Sequence, residues 1–474
     1  MKNITLVFLI SLISFSAISQ NIQPRWSGTL DAGGQKIELI LHLSENKDQS
    51  YSSSWDVPAQ KAKGIVSSKT EFNKQHLYIE IKMIGASFTG DYIDNTIIGT
   101  WEQSGMKFPL QLDPLENEKP EVVIVRPQTP KPPFSYQVKE FVYIGEKTKL
   151  KYGATLTYPN DSAQFPLIIL ITGSGIQDRD ETILDHKPFA VIADYLTKKG
   201  YAVLRIDDRG IGKSNGKFSQ STSEDFANDV EEHIHYAKSL SMIDSNKIGL
   251  CGHSEGGLIA PLVASRNKTV AFIMMMAGPG IDITEMMALQ NEAVLKSNGV
   301  NEKAIKKYLP LYIDLLRSIT QAADNTDALS KARSLTEKWV SSNDKEDVKA
   351  TTNISNEKDI DDYVKIITSQ LSSKWWKFFA NYNPQPVLEQ LKCPVLAING
   401  GSDIQVVSAE NLKGIKSSLK KAGNKNYTIK EFESLNHLFQ KCNKCTVQEY
   451  GDLETTIEPE VLDFMAKWLD KNIK

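Results

Sequence analysis

Five short apolar runs constrain the second part of this chain more than any other feature: Pro166–Thr172, Ala202–Ile206, Lys247–Cys251, Val270–Met276 and Pro394–Ile398. Each reads as a strand, and the first is of the kind buried on both faces. Helical stretches stand between them, at Pro188 to Lys199 closed by Gly200, at Glu224 to Leu240, and after Gly257. Strands alternating with helices imply right-handed crossovers and a mostly parallel sheet. A helix near Ala409–Lys421, a strand Tyr427–Phe432 and a terminal helix from Glu458, with Val461, Phe464, Met465 and Leu469 on one face, complete the pattern.

The alternation stops at Gly278-Pro279-Gly280 and resumes at Pro394. Residues 281–391, rich in Leu, Lys, Glu and Ala, read as a helical insertion at the strand-end side of the sheet, the usual place for a cap over a pocket. Residues 135–280 and 392–474 then make one α/β domain around it. Upstream the period is two, not 3.6: Ile37, Leu39, Leu41 and Leu43 share one parity, Leu77, Ile79, Ile81 and Met83 another, Phe108, Leu110 and Leu112 a third. Residues 24–114 are therefore expected to form a small antiparallel β domain, with turns at Gly33-Gly34, Gly90-Asp91 and Asp94-Asn95. Pro120, Pro127, Pro130, Pro132 and Pro133 mark residues 115–134 as a semi-rigid linker.

The chain opens on Lys2 and Asn3, the apolar run Ile4–Ile13, and Ala17-Ile18-Ser19 before Gln20. Residues 1–19 read as a secretory signal peptide. A transmembrane anchor needs about 20 apolar residues, and Ser11, Ser14, Ser16 and Ser19 interrupt this run. No later run of that kind follows, so a periplasmic or extracellular protein without stable membrane insertion is expected. Lys+Arg 55 against Asp+Glu 58 gives a formal charge of −3 without a dense basic block, which excludes the electrostatic footprint of a nucleic-acid binder. The 41% hydrophobic content excludes disorder. Four cysteines in 474 residues cannot make a disulfide scaffold. Cys251 and Cys393 adjoin apolar runs and read as buried thiols. Cys442 and Cys445 leave two readings open, a strained disulfide or two unpaired thiols, since a zinc knuckle would need two more ligands.

The run Lys247–Cys251 leads into Gly252-His253-Ser254-Glu255-Gly256-Gly257, a G-x-S-x-G placed between a strand and a helix. That context makes Ser254 the candidate nucleophile, because a nucleophile elbow holds its serine in a sharp turn whose flanking glycines keep side chains out of crowded space. The following helix points its N-terminus at the site and favours negative charge there. Pro261, early in that helix, removes a backbone donor and should bend it. A hydroxyl nucleophile needs a base, and an elbow on such a sheet has its partners in the order Ser, acid, His. Of seven histidines only His437 follows both Ser254 and the strand Pro394–Ile398. His42 and His76 sit in the β domain, His186 in a loop after a strand and His253 in the elbow; His233 and His235 point to different faces of one helix. Asp403, just past that strand's carboxyl end in Asn399-Gly400-Gly401-Ser402-Asp403, is the candidate acid that fixes the imidazole tautomer. Asp452 and Glu454 come after His437. For the oxyanion, the backbone N–H of Glu255 is one donor and that of Ser174, in Gly173-Ser174-Gly175, the second, with Gly175 as alternative.

These segments resemble bacterial secreted α/β-hydrolase carboxylesterases with a short β domain ahead of the catalytic domain. The resemblance is carried by Gly173 to Asp180, Asp208-Arg209-Gly210-Ile211-Gly212-Lys213-Ser214, Gly252 to Gly257, Cys393-Pro394-Val395-Leu396 with Asp403, and Asn436-His437-Leu438-Phe439. Relatives are also labelled serine aminopeptidases or simply hydrolases. It implies an α/β-hydrolase fold, with a mostly parallel sheet, a helical cap insertion and the N-terminal β domain, and the triad Ser254, Asp403 and His437. Arg209 and Ser214 lie in a loop that is structural in such hydrolases. Trp375-Trp376-Lys377-Phe378-Phe379-Ala380-Asn381-Tyr382 reads as cap core, with an acyl pocket as alternative. The expectation is a secreted serine hydrolase acting on small-molecule carboxylic esters of short acyl chains, with no metal and no cofactor. An amidase or exopeptidase is the near rival, and a non-catalytic glycan-binding protein the distant one.

Overall fold

The computed structural model describes residues 24–473 except 33–34, 47, 59–61, 104–105, 116–124 and 162. The expected signal peptide, the Gly33-Gly34 turn and half of the Pro-rich linker lie outside the described residues. The chain divides into two compact units, residues 1–121 and 122–474.

In the first unit, strands from Arg25–Ala32 to Met106–Pro114 form one antiparallel sheet, in which the first strand pairs with the last. Its two edge strands, Ala62–Val66 and Lys69–Asn73, are consecutive in the chain. Ser53 Oγ bonds both Ser67 (2.7 Å) and Thr70 (2.8 Å), so the sheet curls into a half-barrel. Period-2 alternation drives it: Leu39, Leu41, Leu43, Leu77, Ile79 and Ile81 all face one core with Trp26, Trp55, Phe88 and Trp101. The Trp55 and Trp101 rings meet edge to face at 5.1 Å. The expected turn at Gly90-Asp91 is corrected. Both residues sit inside the strand Ala86–Ile93, with Gly90 opposite Gly99, and the reversal comes at Asp94-Asn95, where both residues have positive φ. Gly90 marks a close approach instead, since a Cβ there would stand 2.8 Å from the Phe88 ring.

The second unit carries an eight-stranded sheet. Its strands are β1 (Gln137–Ile144), β2 (Lys151–Tyr158), β3 (Phe165–Ile171), β4 (Ala202–Ile206), β5 (Ile243–His253), β6 (Ile273–Met276), β7 (Val395–Gly400) and β8 (Tyr427–Phe432). The spatial order is β1-β2-β4-β3-β5-β6-β7-β8, parallel from β4 to β8 and antiparallel at the β1-β2-β4 end. Helices α1 (Pro188–Lys198), α2 (Ser223–Ala237), α3 (Gly256–Arg266), α11 (Ser408–Lys421) and α12 (Pro459–Asn472) cover both faces, and the cap helices, from α4 (Ile283–Ser297) to α10 (Gln385–Leu388), lie between β6 and β7. Neighbouring strand residues serve opposite cores: Ile169, Ile273 and Val395 pack with α2, α3 and α11, while Ile168, Met274 and Leu396 pack with α1 and α12. This is the α/β-hydrolase arrangement, with the functional loops gathered at the carboxyl ends of the parallel strands.

The cap helices run from Ile283 to Leu388 and have a core of their own around Leu315, Leu316, Ile319, Trp339 and Leu371. Cys442 and Cys445 are joined as a disulfide, while Cys251 and Cys393 are free. Among the described residues, no helix is long and apolar enough to cross a membrane.

Candidate active site

β5 ends at His253, and Ser254 turns the chain with φ +53° before α3 begins at Gly256. A side chain rarely adopts that backbone conformation, and here the surroundings impose it. The Ser254 N–H donates to Met276 O (2.9 Å), and the Ser254 carbonyl accepts from Gly257 N (2.9 Å). A Cβ on Gly252 would fall 1.9 Å from Gly256 O, and one on Gly256 would fall 2.2 Å from Ile171 O. Only glycine fits either place, so the motif spacing is set by backbone packing as well as by chemistry. Pro261 sits inside α3 between buried Ala260 and Val263, and the helix continues through it to Arg266.

β7 delivers the acid. Asp403 lies in the turn after Gly400, where its Oδ1 accepts from the backbone N–H of Gln405 (2.7 Å) and Val406 (2.9 Å). Its Oδ2 accepts from His437 Nδ1 at 2.7 Å, and both side chains are buried. That bond places the proton on Nδ1 and leaves Nε2 free to act as a base. The loop carrying His437, after β8, is held by Asn436, whose Oδ1 accepts from Leu438 N (3.0 Å) and Gln440 N (2.9 Å). Gln440 in turn bonds His186 Nε2 (3.0 Å), which fixes this loop to another part of the domain. Asp403 and His437 are thus bonded, and the His437 ring lies 4.7 Å from that of His253, the residue preceding Ser254. Among the described residues, no hydrogen bond joins Ser254 Oγ to His437. Such contacts are commonly long until substrate binds.

The loop after β3 runs against the elbow, since a Cβ on Gly173 would stand 3.2 Å from Ser254 Cβ. The Gly173 N–H is committed to Glu181 Oε1 (2.7 Å). Among the described residues, the N–H groups of Ser174, Gly175 and Glu255 have no acceptor, so the expected donors at Ser174 and Glu255 and the alternative at Gly175 are all free of a protein partner.

Two features of the site have no signal in the sequence motifs. Glu181, in the loop before α1, is buried against His253, with Nδ1 to Oε1 3.0 Å, and the other His253 nitrogen donates to the carbonyl of His437 at 3.0 Å. The Glu255 carboxyl, on the residue after the nucleophile, is tied to other elements, and Oε1 accepts from Ser223 Oγ (2.6 Å) and from Trp375 Nε1 (2.8 Å). Burial pushes this carboxyl up to about 7 against the pull of those two bonds. Asp208, beside it in one cavity, is pushed up to about 8 by burial, opposed by bonds from Thr172 and Gln177. Trp375 also departs from the cap-core expectation. It stacks on Phe379 (4.6 Å, 14°), which is buried in the core, yet its indole N–H reaches the elbow.

The other histidines have structural partners. His42 bonds Asp56, His76 bonds Asp91 and His235 pairs with Glu146. His233 is buried on the Tyr143 hydroxyl, and burial pushes it down to about 3. Arg209 pairs with Asp229, and Ser214 ties Gly153 N to Asp207 O, so both stay in the scaffold of their loop.

A family model described as serine aminopeptidase, S33, matches residues 186–441, more than half of the chain. Esterase EstD of Thermotoga maritima is 25% identical over 340 residues, which cover 72% of this chain and 69% of that protein. An uncharacterized 31.7 kDa protein of Escherichia coli, from the traX-finO intergenic region, is 28% identical over 164 residues, 34% of this chain and 51% of its own length. Among solved structures, the Pyrococcus furiosus esterase Pf2001 aligns with a TM-score of 0.42 at 17% identity, over 72% of this chain and 94% of that one.

Proposed function

The chain belongs to the serine aminopeptidase, S33, family of hydrolases, and from that premise we propose that it is a serine esterase cleaving small carboxylic esters through an acyl-enzyme on Ser254. His437 Nε2 takes the Ser254 proton as Oγ attacks the carbonyl carbon. Asp403 holds the imidazole in the required tautomer and stabilises the imidazolium. The oxyanion accepts from the N–H groups of Ser174 and Glu255, beside the N-terminus of α3. The imidazolium then protonates the leaving alkoxide, and water, activated by the same histidine, releases the acid. The observation that most supports this reading is the buried 2.7 Å contact between Asp403 and His437, next to a serine held at φ +53°. The esterase relative supports the choice of ester over amide.

Short acyl chains are the proposed substrates, because Trp375, tied to Glu255, occupies space beside the elbow. The Lys2, Ile4–Ile13 and Ala17-Ile18-Ser19 pattern supports export after removal of residues 1–19. The family's description favours a second reading, removal of an amino-terminal residue from a peptide. Rates on p-nitrophenyl acetate, butyrate and octanoate, set beside aminoacyl p-nitroanilides, separate the two. The esterase reading expects the acetate and butyrate to dominate. Anilide turnover exceeding every ester would replace it with the peptidase reading.

A further inference from the structure

Three pieces of the site come from distant parts of the chain: the oxyanion loop at Gly173, the elbow at Ser254 and the base loop at His437. One buried contact joins all three. Glu181 Oε1 accepts from Gly173 N (2.7 Å) and from His253 Nδ1 (3.0 Å), while His253 Nε2 donates to His437 O (3.0 Å). The side chains of His253 and Glu181 are 6% and 2% exposed, and Phe189, Ile192, Met276, Leu438 and Phe439 surround them.

We propose that Glu181 and His253 are positioning residues that lock the oxyanion loop and the catalytic base to the nucleophile elbow as one unit. The proposal rests on the esterase reading above. Both ring nitrogens of His253 face acceptors, a carboxylate on one side and a carbonyl on the other, so each must carry a proton. Burial opposes the imidazolium, and the charge and hydrogen bond of Glu181 together with the His437 carbonyl outweigh it, raising His253 above its ordinary value. A neutral histidine has one N–H and could hold only one of the two loops. The ion pair is therefore what permits the double link. Glu181 itself adopts φ +52°, a left-handed conformation that its surroundings hold in place. Both side chains are buried, with little surface to offer a substrate. Their effect is on the distance between the reacting groups, where a misplacement of 1 Å can cost about 100-fold in rate.

Isosteric substitutions separate this role from plain stability. In Glu181→Gln, the amide oxygen retains both acceptor positions but the charge is lost, so His253 drops a proton and one of its two links. In His253→Asn, the side-chain nitrogen reaches Glu181 in place of Nδ1 and leaves His437 O unpaired; in His253→Gln it reaches His437 O and leaves Glu181. The test is kcat and KM on p-nitrophenyl butyrate well below each variant's Tm, with ¹⁵N NMR of the wild-type imidazoles at pH 7, the His253 signals assigned by their loss in His253→Asn. The expected result is a fall in kcat of about 10- to 100-fold in each variant, KM within about threefold of wild type, and both His253 nitrogens protonated. A wild-type kcat with a lowered Tm would make the pair merely structural and overturn the proposal, and so would one bare ring nitrogen on His253. Should His253→Asn fail to fold, loss of the same signals in His253→Gln assigns them, and a bare ring nitrogen on wild-type His253 still overturns the proposal. A wild-type enzyme inert to esters would instead remove the esterase reading, which is a different failure.

Discussion

Replacing Asp403 by Asn changes the chemistry of the site while sparing its architecture. The Asp403 carboxylate makes three bonds, two from the backbone N–H groups of Gln405 and Val406 on Oδ1 and one from His437 Nδ1 on Oδ2. An asparagine keeps an oxygen for the two backbone donors and so presents its NH₂ to His437. The imidazole must then turn Nδ1 into an acceptor and move its proton to Nε2, where it can no longer take the proton of Ser254. The same exchange in a serine protease triad costs about 10⁴ in kcat, equivalent to about 5.4 kcal/mol of barrier at 1.36 kcal/mol per tenfold. The assay is steady-state hydrolysis of p-nitrophenyl acetate beside a thermal melt. The expected outcome is a loss of kcat within tenfold of that figure and a Tm close to wild type, since both backbone bonds survive. A variant folded and active within tenfold of wild type would refute Asp403 as the orienting acid.

Gly256→Ala places a methyl 2.2 Å from the fixed carbonyl of Ile171; it is expected to cost about 1 to 3 kcal/mol and to lower both Tm and turnover, and an unaltered melt would count against the packing argument for the motif. Trp375→Ala removes the indole beside the elbow, so kcat/KM for octanoyl relative to acetyl esters is expected to rise by about tenfold, within the 1 to 3 kcal/mol that a methylene is worth in an apolar pocket; an unchanged acyl profile with a lowered Tm would leave Trp375 as cap core alone. Glu255 and Asp208, pushed up to about 7 and about 8 by burial, keep protons in the folded chain that the unfolded chain releases above 4.5 and 3.8. Their stabilising share is thus complete at low pH and is lost as pH climbs through those folded values. Glu255→Gln removes one of the two contributions, so its Tm relative to wild type should improve from pH 5 to pH 8; a difference that stays constant with pH would contradict the shift.

The strands β4 and β8 have the same bounds in the sequence pattern as in the fold, β4 as a short, fully buried apolar run broken only by Arg205, and β8 as the sheet's edge strand, with Lys430 and Glu431 inside it. Order along the chain selects Asp403 and His437, and the fold holds them 2.7 Å apart. Local pattern is a poorer guide where glycine serves packing rather than turning. Gly90 faces Gly99 across a ladder, so its pairing with Asp91 imitates a turn that comes four residues later, at Asp94-Asn95. The bond between Glu181 and His253 spans 72 residues; no period or motif in the loop before α1 announces it. The contact of Trp375 with Glu255 spans 120 residues. It depends on how the cap returns to the sheet, and a run of aromatics at helical spacing carries no information about that. Elements governed by local periodicity are legible in the sequence, and contacts that join loops from different strands are not.

The central claim is that Ser254 is the nucleophile, and the most direct measurement is intact-protein mass spectrometry after exposure to a fluorophosphonate, with peptide mapping, run beside ester hydrolysis by Ser254→Ala. The account predicts one adduct, on the peptide containing Ser254, no adduct in the variant, and a loss of turnover on the order of 10⁶ with an unchanged melt. Labelling at another residue, or a variant that hydrolyses esters near the wild-type rate, would contradict it.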